Sequence, residues 1–148
     1  MTYPSKHISI AIHRPLTAVY EFASNPENLP QWAAGLSQGI RKAGNVWLAS
    51  SPMGEVTVEF TPPNTLGVLD HDVTFPSGQR VHNPLRVLRN NDGCEVVFTL
   101  YRLPDMSEQD LERDVKMIEK DLQTLKSILE QSIELDPIDD SEIRREIK

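Results

Sequence analysis

Apolar residues recur at every second position near the start of the chain. Ile8, Ile10 and Ile12 would share one face of an extended segment, so residues 7–12 are predicted to form a half-buried strand. Short extended segments return from residue 37 onward, separated by turns rich in proline, glycine and asparagine. These segments are 37–43, 46–51, 55–60, 66–74, 79–88 and 95–101. Their succession predicts an antiparallel meander with one buried and one solvated face.

Two short helices are predicted between the first strand and the meander. Pro15 fits the first turn of a helix, because the N–H that it lacks would have no partner there. Asn25-Pro26 would end this helix and begin a second one that runs towards Trp32. Pro30 lies inside the second helix, which we therefore expect to be irregular or short.

A long amphipathic helix is the clearest element, and it begins after residue 107. Ser107 is a favourable N-cap and Asp110 follows three residues later, as in a capping box. Seven apolar residues then recur at spacings of three or four, which places them on one helical stripe. They are Leu111, Val115, Ile118, Leu122, Leu125, Leu129 and Ile133. The stripe could also form a coiled coil, but the meander needs a cover, so we expect the helix to pack on the sheet.

The order of elements, β-α-α-β6-α, predicts an α+β fold. A strongly curved antiparallel sheet of about seven strands would wrap around the long C-terminal helix. The 148 residues fit one domain, which we expect to span residues 1–135, with a flexible charged tail over residues 136–148. A curved sheet does not close flush on a straight helix, so we expect a mostly apolar cavity between them.

Strand positions in phase with the apolar face should point towards the helix. They are Ile8, Ile10, Ile12, Leu48, Val56, Val58, Phe60, Leu69, Val73, Val96, Phe98 and Leu100. Most of these side chains are expected to be ordinary core, and only some to line the cavity.

Charge and cysteine content narrow the range of functions. The formal net charge is −7, and no basic stripe suited to phosphate is visible, so nucleic acid is not an expected partner. Cys94 is the only cysteine, which excludes an internal disulfide, and no evident base accompanies it as it would a nucleophile. The first residues lack the apolar stretch of a signal peptide, and no apolar run approaches the roughly 20 residues that cross a bilayer. We therefore expect a cytoplasmic location.

Two segments near the start of the chain carry a family resemblance: residues 14–22, RPLTAVYEF, and residues 25–32, NPENLPQW. Their order of proline, helix, acidic turn and tryptophan resembles the start of the START-type, pollen-allergen-like superfamily (SRPBCC). Bacterial members of that superfamily are often labelled polyketide cyclase/dehydrase-like. The end of the last strand, residues 98–101, and the long helix after it also resemble this superfamily.

This resemblance covers about residues 6–133 and implies a helix-grip fold with a hydrophobic cavity. Members of the superfamily range from lipid carriers to cyclases, hydrolases and stress regulators. The resemblance therefore implies a place for a ligand but little about chemistry.

His71 is the first candidate for chemistry. It is in phase with Leu69 and Val73, so it could point into the cavity and act as a general base or bind a ligand through a hydrogen bond. The alternative is a histidine whose ring is satisfied by a neighbouring strand. Asp70 and Asp72 flank it but should point to the opposite face. We therefore expect no metal site here, and no sequence pattern indicates a cofactor.

Other polar and aromatic residues also have structural interpretations. Arg80, His82 and Arg86 share one face of a strand, where we expect them in solvent or paired with Glu55 and Glu59 across the sheet. An anion site in the cavity is the alternative. Trp32 and Trp47 could close the mouth of the cavity or simply pack in the core.

Three functions are compatible with these patterns. The first is binding of a small hydrophobic or amphipathic molecule, by a monomer or homodimer. The second is a cyclase-like or dehydratase-like enzyme for a polyketide-like or aromatic substrate, with His71 as its candidate catalytic residue. The third is an interaction protein whose own side chains fill the cavity. We favour binding, because catalysis needs convergent polar groups and the sequence shows scattered ones. The predicted ligand-binding residues are Trp32, Trp47, Val58, Phe60, His71, Val73, Phe98, Tyr101, Ile118 and Leu122.

Overall fold

The computed structural model describes residues 1–135 and confirms the α+β fold class: in that part of the chain, eight strands form two antiparallel sheets, and the last of three α-helices is long. The strands are β1 (Ser5–Ile12), β2 (Ile40–Ala43), β3 (Val46–Ser51), β4 (Gly54–Phe60), β5 (His71–Thr74), β6 (Arg80–Asn83), β7 (Leu85–Asn90) and β8 (Gly93–Tyr101). The helices are α1 (Leu16–Ala23), α2 (Leu29–Trp32) and α3 (Glu108–Leu135). The predicted tail, residues 136–148, lies outside the described residues.

Pro84 divides one predicted strand into two and so accounts for eight strands instead of about seven. The first sheet has the order β1-β8-β7 and the second the order β2-β3-β4-β5-β6. Proline has no N–H to donate to a ladder, and the backbone changes sheets at this residue. Its carbonyl accepts a hydrogen bond from the Thr99 N–H at 3.0 Å, which keeps β8 attached where the two sheets meet.

The predicted strand over residues 66–74 begins only at His71, because the residues before it cross to the other sheet. Gly67 has a φ of +73°, which an L side chain rarely adopts. Its carbonyl accepts from the Val87 N–H at 2.8 Å, and the Leu69 N–H donates to the Leu85 carbonyl at 2.8 Å. This short segment therefore ties the second sheet to β7 of the first.

Helix α3 begins with the predicted capping box. The Asp110 N–H donates to Ser107 Oγ at 3.0 Å, and the Ser107 N–H donates to Asp110 Oδ2 at 3.1 Å, which satisfies two N–H groups at the start of the helix. The apolar stripe packs into the main core, as predicted for a helix that covers a sheet. Ile133 lies in the last turn, where the structure describes the backbone alone. No helix in residues 1–135 combines the length and hydropathy that a membrane span requires.

The interior positions follow the predicted phase except in β3. Antiparallel partners share a face of a sheet, and Ala49 pairs with buried Val56 while Trp47 pairs with buried Val58. Leu48 was predicted to point inward, but this prediction is wrong, because Leu48 is out of phase with both. The alternation of β3 is weak in the sequence, since Val46, Trp47, Leu48 and Ala49 are all apolar.

Candidate ligand-binding groove

An open groove of about 440 Å³ lies beside the first half of α3. Strands β5, β6 and β8 form one wall, residues 110–121 of α3 form the other, and the loop before the helix closes one end. Farther along the helix the space is filled, since Leu122, Leu125 and Leu129 are buried in one core with residues of the first sheet and the short helices. The interface between sheet and helix is thus packed at one end and open at the other.

The sheet wall of the groove is mostly apolar. Val73, Val81, Phe98 and Leu100 line it, together with the neutral polar side chain of Asn83. Val73 is the cross-strand partner of Val81, so their side chains share one face. Residues of the opposite phase on β6 point away from the groove, and this alternation is what the sequence predicted for the strand.

The helix wall is acidic, which sequence reasoning missed. Asp110, Asp114, Met117 and Asp121 line the groove at spacings of four, three and four residues. They form a second stripe, one position before the apolar stripe on α3. The signal that could have identified this stripe is its spacing of four, three and four residues, which is the same as that of the apolar stripe. The signal is weak, because acids beside an apolar stripe are ordinary on a solvated helix.

Three of the four methionines in the chain line the groove: Met53, Met106 and Met117. Met53 lies in the turn between β3 and β4 with 69% of its surface exposed, and Met117 on α3 is 46% exposed. Unbranched, polarizable side chains adapt to apolar partners of different shape. The groove therefore carries flexible apolar groups from α3, from the loop before it and from the turn between β3 and β4.

Four of the ten predicted ligand-binding residues line the groove, namely Val73, Phe98, Tyr101 and Ile118. The other six lie elsewhere in the fold: Trp32, Trp47, Val58, Phe60, His71 and Leu122. The sequence reasoning placed the site between sheet and helix, but it could not say which end of that interface is open.

Trp32 and Leu122 belong to the packed end of the interface. Both are buried in the main core. Trp32 Nε1 is the one buried side-chain nitrogen or oxygen in the described part of the chain that has no hydrogen-bond partner. Trp47 and Phe60 pack against a smaller cluster around buried Val58 on the second sheet. Phe60 also packs against the main core.

His71 lies one ring away from the groove. Its imidazole packs between the rings of Phe60, at a centroid distance of 5.9 Å, and Phe98, at 6.4 Å. Nδ1 lies 3.0 Å from the Leu69 carbonyl. A carbonyl only accepts, so Nδ1 carries a proton. Burial holds the pKa of His71 below its usual value, against the raising effect of that carbonyl, so the ring is neutral at pH 7 with Nε2 unprotonated.

Burial raises the pKa of both Asp114 and Asp121. Nearby Asp110 raises that of Asp114 further, and Arg113 opposes the shift. For Asp121 the opposing groups are the Ala34 N–H, which donates to Oδ1 at 3.1 Å, and Lys120. A raised pKa means that the folded state disfavours the charged carboxylate. The helix wall of the groove therefore holds negative charge at a cost to stability.

The acids on the outer face of the second sheet are paired with basic side chains. Asp70 receives two hydrogen bonds from Arg86, at 2.8 and 2.7 Å, and a third from the Leu85 N–H at 2.9 Å. Asp72 accepts from Arg80 and His82. Pairing across the sheet is confirmed, but only one of the two predicted acids takes part in it: Arg80 also lies 2.7 Å from Glu59, while Glu55 pairs with Arg41. Asp70 and Asp72 both lie on the face opposite His71.

Replacing Asp70 by asparagine should lower the free energy of unfolding at pH 7 by about 1–2 kcal/mol. The bond to Arg86, helped by the Leu85 N–H, holds the pKa of Asp70 below its usual 3.8. Its contribution is therefore complete above pH 3.8 and is lost as pH falls through the lower folded value. Urea unfolding of both proteins from pH 7 to 2 should give curves that converge in acid. Asp92→Asn, in the exposed β7–β8 turn, is the control, and a constant gap at all pH values would contradict this assignment.

Cys94 is buried as the second residue of β8, and burial raises the pKa of its thiol. A buried thiol of raised pKa is not a nucleophile at neutral pH. The residue acts as a small apolar side chain in the main core, in line with the absence of an adjacent base in the sequence.

Solved structures with the same architecture place this chain among known folds. A START superfamily protein from Mycobacterium smegmatis has a TM-score of 0.64 at 10% identity, over 86% of this chain and 97% of that chain. DynU16, of the dynemicin biosynthetic locus, has a TM-score of 0.67 at 13% identity, over 85% of this chain and 47% of its own. The protein XoxI from Bacillus cereus has a TM-score of 0.69 at 12% identity, over 87% and 96%.

No family model matches the sequence, and no curated protein matches it. At identities of 10 to 13%, the structural likeness speaks for the fold and not for a shared activity. The fold is nevertheless well defined by the strand order, the two short helices and the long helix. The chain has the same helix-grip fold as the START superfamily protein from Mycobacterium smegmatis.

Proposed function

We propose that this protein binds a small amphipathic molecule in the groove beside the first half of α3. The observation that carries this proposal is the groove itself, whose volume of about 440 Å³ is typical of ligand sites, as is its mainly apolar lining with a few polar groups.

The exposure of apolar side chains at the groove supports the same proposal. Met53 and Met117 leave much of their surface in water, although each lies beside apolar neighbours. A ligand that covers them gains the free energy of removing this apolar surface from water. A protein whose cavity is filled by its own side chains would have no such surface at this position.

Binding without a chemical step is the simplest use of the groove. Among the described residues, the lining contains no serine, cysteine, lysine or histidine, the usual nucleophiles and bases. His71, the candidate of a cyclase-like or dehydratase-like function, lies behind Phe98. Carboxylates are the acid–base groups that the groove offers, and a catalytic role would need one of them to meet a second catalytic group at the substrate.

Met117→Trp tests the proposal by filling the groove at its mouth. We expect this variant to bind the neutral fluorescent probe N-phenyl-1-naphthylamine at least about tenfold more weakly than the original protein, because the indole occupies the space of the ligand. The probe is titrated by fluorescence, with excitation above the absorption of tryptophan.

Lys116→Trp is the matched control for this experiment. Lys116 is exposed and is the neighbour of Met117 on α3 but does not line the groove, so its replacement adds the same indole outside the site. Equal probe affinity in the two variants would contradict binding in the groove, as would a failure of the original protein to bind the probe.

A further inference from the structure

The charges around the groove are strongly unbalanced. Four carboxylates line it, and Arg113 is the cationic side chain among the described lining residues. The carboxylates belong to Asp105, Asp110, Asp114 and Asp121. The sheet wall contributes neutral polar groups, so the negative charge is concentrated on the helix and on the loop before it.

Arg113 already forms an ion pair with another side chain of α3. Its guanidinium lies 2.8 Å from Asp110 Oδ1, and Asp110 also accepts the N–H of Ser107 in the capping box. This pair is neutral as a unit. The negative charge that remains in the groove is that of Asp105, Asp114 and Asp121, without a compensating cation among the lining side chains.

Within the described part of the chain, Asp114 is half-buried and has no polar partner, unlike Asp105, which is exposed, and Asp121, which has one. Among the described residues it makes neither a hydrogen bond nor an ion pair, whereas Asp121 accepts the Ala34 N–H at 3.1 Å. Met117 and Ile118 lie one turn farther along the helix on the same side of the groove. A half-buried carboxylate without a donor or cation is costly, and the raised pKa of Asp114 has this origin.

Building on the proposed function, we propose that the ligand carries a positively charged nitrogen that pairs with Asp114 while its apolar body lies against Phe98 and Val81. An ammonium group would supply the donor and the charge that Asp114 lacks. Phe98 and Tyr101 add aromatic rings to the lining, and aromatic faces attract cations as well as apolar groups. An anionic amphiphile would face three uncompensated carboxylates and be repelled.

Three molecules with the same alkyl chain separate this inference from the proposed function: decylammonium, decanol and decanoate. We expect decylammonium to bind at least about tenfold more tightly than decanol at pH 7 and low salt, since a hydrogen bond to a charged group is commonly worth that factor. Decanoate should bind most weakly. Isothermal titration calorimetry below the aggregation concentrations of the probes measures all three.

The outcomes of this comparison differ for the two proposals. Binding of none of the three molecules would overturn the proposed function and this inference with it. Binding of decanol or decanoate as tight as that of decylammonium would leave the proposed function standing and overturn the preference for a cation.

Asp114→Asn locates the preference. We expect this variant to lose the tenfold advantage of decylammonium over decanol while it keeps its affinity for decanol, because the apolar walls are unchanged. Glu119→Gln removes the same charge from an exposed position of α3 that does not line the groove and should keep the preference. A ratio of affinities unchanged by Asp114→Asn would overturn the assignment.

A thermal melt supplies a readout that does not depend on any ligand. Because the folded state disfavours the Asp114 carboxylate, its neutral isostere should raise the unfolding midpoint at pH 7, and Glu119→Gln should not. A lower midpoint for Asp114→Asn would mean that the carboxylate has a stabilising partner within the protein, which would overturn the argument for a missing cation.

Discussion

Replacing Gly67 by alanine should lower the free energy of unfolding by more than about 4 kcal/mol, a loss at the extreme end of single substitutions. Gly67 has a φ of +73°, and a Cβ added there would overlap the backbone carbonyl of Val87. Neither group can move freely, because the Val87 N–H donates to the Gly67 carbonyl. The substitution would separate the two sheets at the segment that joins them.

Gly44→Ala is the control for the effect of the backbone angle alone. Gly44 has a φ of +65°, close to that of Gly67, but a Cβ there would meet no atom within 4 Å. We expect a loss of about 1 kcal/mol for this variant. Urea unfolding followed by circular dichroism measures both losses, and equal losses in the two variants would show that the Val87 carbonyl does not constrain Gly67.

Replacing Leu125 by alanine should cost about 3–5 kcal/mol of unfolding free energy. Leu125 is fully buried, with 0% of its surface exposed, at the centre of the contact between α3 and the first sheet. Truncation removes three carbons from a site that rigid strands surround, so the cavity cannot collapse completely. Chemical unfolding at pH 7 gives the value directly.

Gln123→Ala provides the comparison on the same helix. Gln123 is exposed, and a surface change of this kind usually alters stability by no more than about 0.5 kcal/mol. A loss below about 1 kcal/mol for Leu125→Ala would mean that the second half of α3 does not carry the main core, and it would undermine the division of the helix into a packed and an open part.

Local patterns in the sequence were sufficient to predict the elements whose signals lie within a short run of residues. Two signals identify α3: the capping box at Ser107 and Asp110, and the apolar stripe from Leu111 onward. The period of an amphipathic helix can be read from consecutive residues of one segment. The alternation of β4 likewise identifies its buried face. Each of these signals is contained within one element and needs no knowledge of the others.

The missed features depend on contacts between elements. A proline at position 84 indicated an interruption, but that the chain changes sheets there is a property of the whole topology. The inward prediction for Leu48 failed because four consecutive apolar residues leave the phase of β3 undetermined. His71 was assigned to the correct face of its strand, yet whether it meets the groove depends on Phe98, which is 27 positions later.

The location of the groove could not be read from the stripe on α3, because the stripe is continuous where the packing is not. Leu122 and Ile118 are one turn apart and equally apolar, yet Leu122 is buried in the core while Ile118 borders the groove. The acidic stripe of Asp114 and Asp121 forms part of the proposed ligand site only because apolar strands face it. The shape of the sheet determines both where the groove opens and which strands face this stripe, and no short sequence pattern encodes that shape.

The division of α3 into an open and a packed half also affects how such a protein can evolve. Asp114 and Met117 keep part of their surface in water, so few substitutions there should lower stability by much. Leu122 and Leu125 have no such freedom, because the stability of a protein exceeds the minimum needed for folding by only a few kcal/mol. Mutations can therefore accumulate along the groove and exchange one ligand preference for another, while the same helix retains the residues that keep the descendants folded.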